Sequence, residues 1–197
     1  MKFILGKKLE MMQIFDEKGN VVPVTLIEAG PCWVSQIKTE EKDGYNGAQI
    51  GFEKIEKENK IKKTMGGKPY RYLREVRNGG DGLKVGDEIK VSIFEEGGNV
   101  KISGISKGKG FAGAIKRWGF KDRAKVHGHK DMRRVGSIGC RFPQRVIKGK
   151  KMPGRMGTER VSVKNLKVAK IDPENNILAV KGAVPGRKGI LLEIKGK

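Results

Sequence analysis

Three groups of residues in this 197-residue chain have types and spacings that could do chemistry. Gly108-Lys109-Gly110-Phe111-Ala112-Gly113 matches the G-x-G-x-x-G phosphate cradle, with Asp131 downstream where a ribose would need it. A dinucleotide site needs that run to leave a buried strand within a βαβ unit. Here no such alternation surrounds it, and basic residues broken by glycine follow. A P-loop fails as well: from Gly104 the spacing to Gly108-Lys109 is one residue short, and Gly110 stands where Ser or Thr must hold magnesium. His127-Gly128-His129 with Cys140 form a second group, suggestive of zinc. A closed zinc site takes four ligands, and the only other cysteine, Cys32, lies in a strand-like region. The two cysteines fit no disulfide framework and read as free thiols of a reducing compartment. No paired carboxylates sit in an apolar setting, and no Ser or Cys has a nucleophile's neighbours. These observations argue against an enzyme and call for no cofactor, metal or small-molecule substrate.

The third group is a string of cations with the chemistry of phosphate neutralisation. It comprises Lys107, Lys109, Lys116, Arg117, Arg123, Lys125, Arg133, Arg134, Arg141, Arg145, Lys148, Lys150, Lys151, Arg155 and Arg160. Phe111, Trp118, Phe120 and Phe142 are interleaved and offer faces for bases to stack on. His127 and His129 read as imidazoles packed on backbone or phosphate. For Trp118 two readings stand open: a base platform, or packing over a short helix at 111–118 against the chain itself. Residues 103–160 hold 17 Lys and Arg against three acids, which is +14 of the chain's +21. The stretch is rich in glycine and poor in long apolar runs, so it cannot bury a core of its own. It demands a polyanion, and nucleic acid fits best.

The elements that must position this string are strands. Val21 to Ala29, Cys32 to Thr39 and Ala48 to Phe52 read as strands between turn clusters, with Pro23 at an edge or in the first residues of its strand. Residues 68–77 space Tyr70, Leu73 and Arg77 at helical intervals and predict a helix. Residues 89–94 predict a strand, with Gly97-Gly98-Asn99 as a hairpin turn into a strand over 100–105. Alternation over 159–171, then 177–181 and 190–195, predicts three closing strands. The chain therefore reads as a mainly-β protein. Residues 1–102 and 161–197 would build one barrel, interrupted by a basic excursion over 103–160. No apolar run is long enough for a membrane-spanning helix, no secretory signal is evident, and the expected compartment is the cytoplasm.

Several of these motifs carry a resemblance. The run from Ser106 to Gly113, Lys116-Arg117-Trp118, His127-Gly128, Gly136-Ser137-Ile138-Gly139, Lys148-Gly149-Lys150-Lys151-Met152, Gly154 and Met156-Gly157 resemble the large-subunit ribosomal protein L-three family in its bacterial form. Gly6-Lys7-Lys8, Ile14-Phe15, Pro23-Val24-Thr25 and the stretch from Leu178 to Gly186 extend the similarity over nearly the whole chain. The resemblance implies a translation-protein-type β-barrel with a small α+β insertion near 40–90, and an extension through ribosomal RNA toward the peptidyl transferase centre. It implies binding near the 3′ end of the large rRNA, a role early in assembly, and neighbours of the L-fourteen and L-nineteen types. The alternative from composition is a free-standing RNA- or DNA-binding regulator on the same barrel. Two stretches depart from the family: Glu10-Met11-Met12-Gln13 in the first strand, and a tip at 139–144 one residue short. Gln144 follows Pro143 rather than preceding a Thr-Pro, so the family's glutamine methylation is not carried over.

Overall fold

The structure is a computed structural model that describes residues 2–57, 61, 63–77, 82–124, 126–128 and 131–196. The chain divides into two compact units, Met1–Ile105 with Arg160–Lys197, and Ser106–Glu159. The protein is mainly β, as its alternating patterns predict.

Six strands of the first unit pair into a closed ring. These are β1 (Phe3–Phe15), β2 (Val21–Ala29), β7 (Asn99–Ile105), β10 (Arg160–Asp172), β11 (Ile177–Lys181) and β12 (Leu191–Gly196), in the order β1-β12-β7-β10-β11-β2. Closure leaves no free edge among them. Ile4, Ile27, Ile102, Val168, Leu178, Val180, Leu192 and Ile194 fill the interior and are essentially inaccessible to solvent. Pro23 pairs with Gln13 of β1 and lies just before the β2 residues that pair with β11, so its missing N–H breaks no ladder on that side. Gly104 lies opposite Leu192, and a Cβ there would come within 2.6 Å of the Leu192 side chain. The glycine makes the space that the leucine fills. Leu192→Ala is expected to lower unfolding free energy by about 2–5 kcal/mol, read from urea denaturation; a loss below about 1 kcal/mol would show that the barrel interior is not close-packed.

A second sheet in the same unit has the order β5-β4-β3-β6, from β3 (Cys32–Lys38), β4 (Gly47–Lys54), β5 (Tyr70–Arg77) and β6 (Glu88–Ile89), with the one-turn helix α1 (Glu40–Asp43) between β3 and β4. Here the structure corrects the sequence reading three times. Residues 70–77 form a strand, not a helix. Tyr72 lies opposite Phe52 and stacks on it at 6.3 Å, and Tyr70 stacks on Trp33 at 5.8 Å. The register puts Tyr72 and Val76 beside Phe52 and Ala48 on one face, a period of two, with Tyr70 over Gly51 and Trp33 on the other, and this pairing outweighs the accidental spacing of Tyr70, Leu73 and Arg77. The strand expected over 89–94 ends at Ile89. A 3-10 turn over Val91–Ile93 follows, because burying Val91 and Phe94 together needs an i, i+3 face. Residues 97–99 make no hairpin with that segment. Gly97 and Gly98 bond to Val168, and β7 takes β10 and β12 as partners.

Cys32 is buried against this core, its thiol donating to the Leu5 carbonyl at 3.4 Å, and burial pushes its pKa up to about 12. It is an inert packing residue.

Candidate nucleic-acid interface

The basic string is carried almost entirely by the Ser106–Glu159 unit, entered from β7 and left into β10, whose ends pair at Ile105 and Arg160. Among its described residues only Ala112 and Ala114 are buried. Its order comes from backbone bonds between the outgoing and returning limbs. Ser106 N–H donates to the Glu159 carbonyl, Lys109 N–H to Met156, and Met156 N–H to Gly110, each at 2.9 Å. The two-residue strands β8 (Phe111–Ala112) and β9 (Gly154–Arg155) continue the ladder. Gly157 sits at φ +78°, and a Cβ on it would collide with the Lys107 carbonyl, so the limbs can approach only where this residue is glycine. The G-x-G-x-x-G run is thus one limb of a two-stranded stitch.

The five-residue helix α2 (Ala114–Trp118) follows β8 and ends at Gly119, φ +70°, whose N–H bonds back to Ile115. It aims two side chains at one acceptor. Arg117 and the Trp118 indole both donate to the Met152 carbonyl, at 3.0 and 2.9 Å. The Arg117 guanidinium lies 5.0 Å from the Trp118 ring centre and the Lys151 ammonium 5.8 Å. Lys107, Lys109, Arg117 and Trp118 line one shallow hollow of about 300 Å³. The edge of Trp118 is tied to the chain, as one of its two sequence readings has it, and 41% of the residue remains exposed. Trp118→Ala is expected to leave the melting temperature of the free chain unchanged, since the ring lies outside the barrel core. RNA affinity should fall roughly tenfold, the worth of one stacked base. A large drop in melting temperature would make the ring a core residue instead.

A second cluster is organised by acids. Asp122 accepts the backbone N–H groups of Arg123 and Arg133, both at 3.0 Å, and Asp131 takes the guanidinium groups of Arg123 at 3.2 Å and Arg134 at 3.4 Å. Asp131 thus holds together two guanidinium groups that would otherwise repel one another, and Asp122 ties the backbone at Arg133 to that at Arg123. The sequence reading took these acids as charge, and Asp131 also as a ribose partner of the glycine run, but not as organisers of arginines; the adjacent Asp122-Arg123 pair and the Asp131/Arg134 spacing were the available signal.

The other predicted residues are distributed rather than gathered. Lys116 and Phe111 are exposed, Phe111 at 80%, and Arg155 stands opposite Phe111 across the ladder. Arg141 lies 5.8 Å from the exposed Phe142 ring, and the Cys140 thiol donates to the Phe142 carbonyl. His127, Arg145, Lys148, Lys150 and Lys151 are exposed. Arg160 belongs to the first unit and pairs with Glu193. Lys125 and His129 lie outside the described residues. Among the described residues no three His, Cys, Asp or Glu side chains are grouped as metal ligands. No helix among them is long and apolar enough to cross a membrane. The arrangement presents cations, peptide edges and aromatic faces on an almost coreless scaffold, which suits a long polyanion with stackable bases.

Known proteins match this combination. Residues 84–176 match the family described as Ribosomal protein L3. The chain is 54% identical to the large ribosomal subunit protein uL3 of Carboxydothermus hydrogenoformans, over 98% of this chain and 96% of that protein. It is 52% identical to the uL3 of Thermosipho melanesiensis, over 99% and 98%. The uL3 of Thermotoga petrophila is 51% identical, over 99% and 97%. Identity at about half of the aligned positions covers nearly the whole chain, and the chain belongs to the ribosomal protein L3 family.

Proposed function

We propose that this chain is a structural constituent of the large ribosomal subunit that binds large-subunit rRNA near its 3′ end and supports early assembly. Membership of a structural, non-enzymatic family supports the coarse part of that reading, together with a place in the ribosome of the bacterial cytoplasm and a role in translation. One observation carries the RNA part: the Ser106–Glu159 unit buries only two alanines among its described residues while exposing most of the chain's excess positive charge. A segment so built gains its stability from the partner it neutralises.

In this proposal residues 1–102 and 161–197 form a translation-protein-type barrel with a small insertion near 40–90, and residues 103–160 form an extension that runs through rRNA toward the peptidyl transferase centre. Lys107, Lys109, Arg117 and Trp118 act as one contact, and Arg123, Arg133 and Arg134 as another. Lys116, Arg141, Arg145, Lys148, Lys150, Lys151, Arg155 and Arg160 act singly on phosphates, with Phe111 and His127 beside them. Lys125 and His129 belong to the proposal by sequence alone. The protein neighbours are subunit proteins of the L-fourteen and L-nineteen types.

The test is to isolate large subunits from cells carrying a tagged copy. One copy per particle, retained through a high-magnesium wash, is the expected result. A pool that stays free of subunits, or binds other RNA or DNA in preference, would replace this reading with that of a free-standing regulator.

A further inference from the structure

A cleft of about 700 Å³ opens in the first unit, lined by β5 of the small sheet and by β7, β10 and β12 of the barrel. Four arginines border it from three stretches of the chain: Arg71 and Arg74 on β5, Arg160 at the start of β10, and Arg187 before β12. One carboxylate, Glu193 of β12, stands among them. One of its oxygens takes Arg74 Nε at 3.2 Å and the other takes a terminal nitrogen of Arg160. The same carboxylate thereby fixes two guanidinium groups that arrive from different sheets. Arg71 reaches Glu53 at 3.4 Å, and Arg187 has no acidic partner among the described residues.

This arrangement leaves more donors than its one carboxylate can occupy. A guanidinium carries five N–H groups in a planar fork, and a pair to one carboxylate oxygen uses one of them. Forks held in place beforehand suit oxyanions that accept two bonds at a time, and phosphate is the commonest such group. The Tyr72 ring, 5.4 Å from the Arg71 guanidinium, borders the same cleft and adds a flat face. The volume is far more than one free phosphate fills. The lining mixes backbone, arginine and a few aliphatic groups, unlike the enclosed apolar pocket that holds a small organic ligand. A chain of +21 also repels the basic protein segments that could otherwise dock here.

We propose that this cleft is a second RNA site, seating a stretch of phosphate backbone on Arg71, Arg74, Arg160 and Arg187 independently of the cations in residues 106–159. The proposal rests on the ribosomal reading above and adds to it a contact made by the globular unit. Three of the four arginines lie outside the basic string, and no sequence window brings positions 71, 74 and 187 together.

The test uses the full chain and a large-subunit rRNA transcript. R71Q/R187Q leaves both Glu193 pairs intact, R71K/R187K retains the charge, and K148Q/K150Q/K151Q is a control in the other unit. R71Q/R187Q should make the slope of log affinity against log salt shallower by about 1.4–1.8, two contacts at roughly 0.7–0.9 each. It should also lose hydroxyl-radical protection over a backbone segment that the control retains. R71K/R187K should restore the slope, and all melting temperatures should match the parent. A parental slope and footprint for R71Q/R187Q, with both altered in the control, overturns the cleft site and leaves the ribosomal reading standing. Parental behaviour in both variants overturns the two together.

Discussion

Raising monovalent salt from 50 to 200 mM should weaken binding of the free chain to large-subunit rRNA by about 10³–10⁵-fold, a log–log slope of about −5 to −9 for six to ten neutralised phosphates. The unit that carries the basic string buries almost no core of its own and exposes a dense run of Lys and Arg, so released counterions should supply most of the binding free energy. Not every cation contributes in full. Arg117 is committed in part to the Met152 carbonyl, Arg123 and Arg134 share Asp131, and Arg160 shares Glu193. This is why the expected slope lies below the full count of 17 Lys and Arg in residues 103–160. The measurement is a filter-binding series at fixed magnesium. A slope shallower than about −2 would mean that stacking and shape, not charge, hold the RNA, and would reject the polyanion argument.

The barrel was largely legible in the sequence because its strands obey one local rule. Where one face is buried, residues alternate, and Val21–Ala29 and Ile177–Lys181 could be read off within a residue of their ends. Legibility failed where the deciding contact was distant. Tyr70, Leu73 and Arg77 look helical until Tyr70 stacks on Trp33 and Tyr72 on Phe52. Gly97-Gly98 looks like a hairpin turn until β10, some seventy residues on, claims its backbone. The basic interface was visible as charge but not as geometry. Nothing local says that Gly157 exists to let Lys107 pass, or that Asp122 reaches across to Arg133. In the sequence the glycines count as a reason that the stretch buries no core. Gly157 instead makes room for the protein's own returning limb, which turns a loose loop into a stitched pair.

Replacing residues 121–148 with a short Gly-Ser linker should leave the melting temperature of the free chain unchanged or slightly higher, while subunits that carry the variant are defective. The barrel half follows from where the buried residues are. The replaced segment contributes none of the described core, and β7 and β10 already meet at Ile105 and Arg160. The limb ladder from Ser106–Glu159 to Phe111–Arg155 and the Met152 bonds of Arg117 and Trp118 also remain. Removing nine Lys and Arg with two Asp relieves self-repulsion, and shortening the loop lowers its closure entropy slightly. RNA binding should persist, with a shallower salt slope, because eight Lys and Arg of residues 103–160 are kept. The functional half depends on the proposal that this segment reaches the peptidyl transferase centre. Chemical probing of rRNA in assembled particles should then change at that centre and stay the same around the barrel. Collapse of the free variant on heating would show that the segment belongs to the barrel's core. Unchanged probing at the centre, with the variant present at one copy per subunit, would show that the segment ends elsewhere in the RNA.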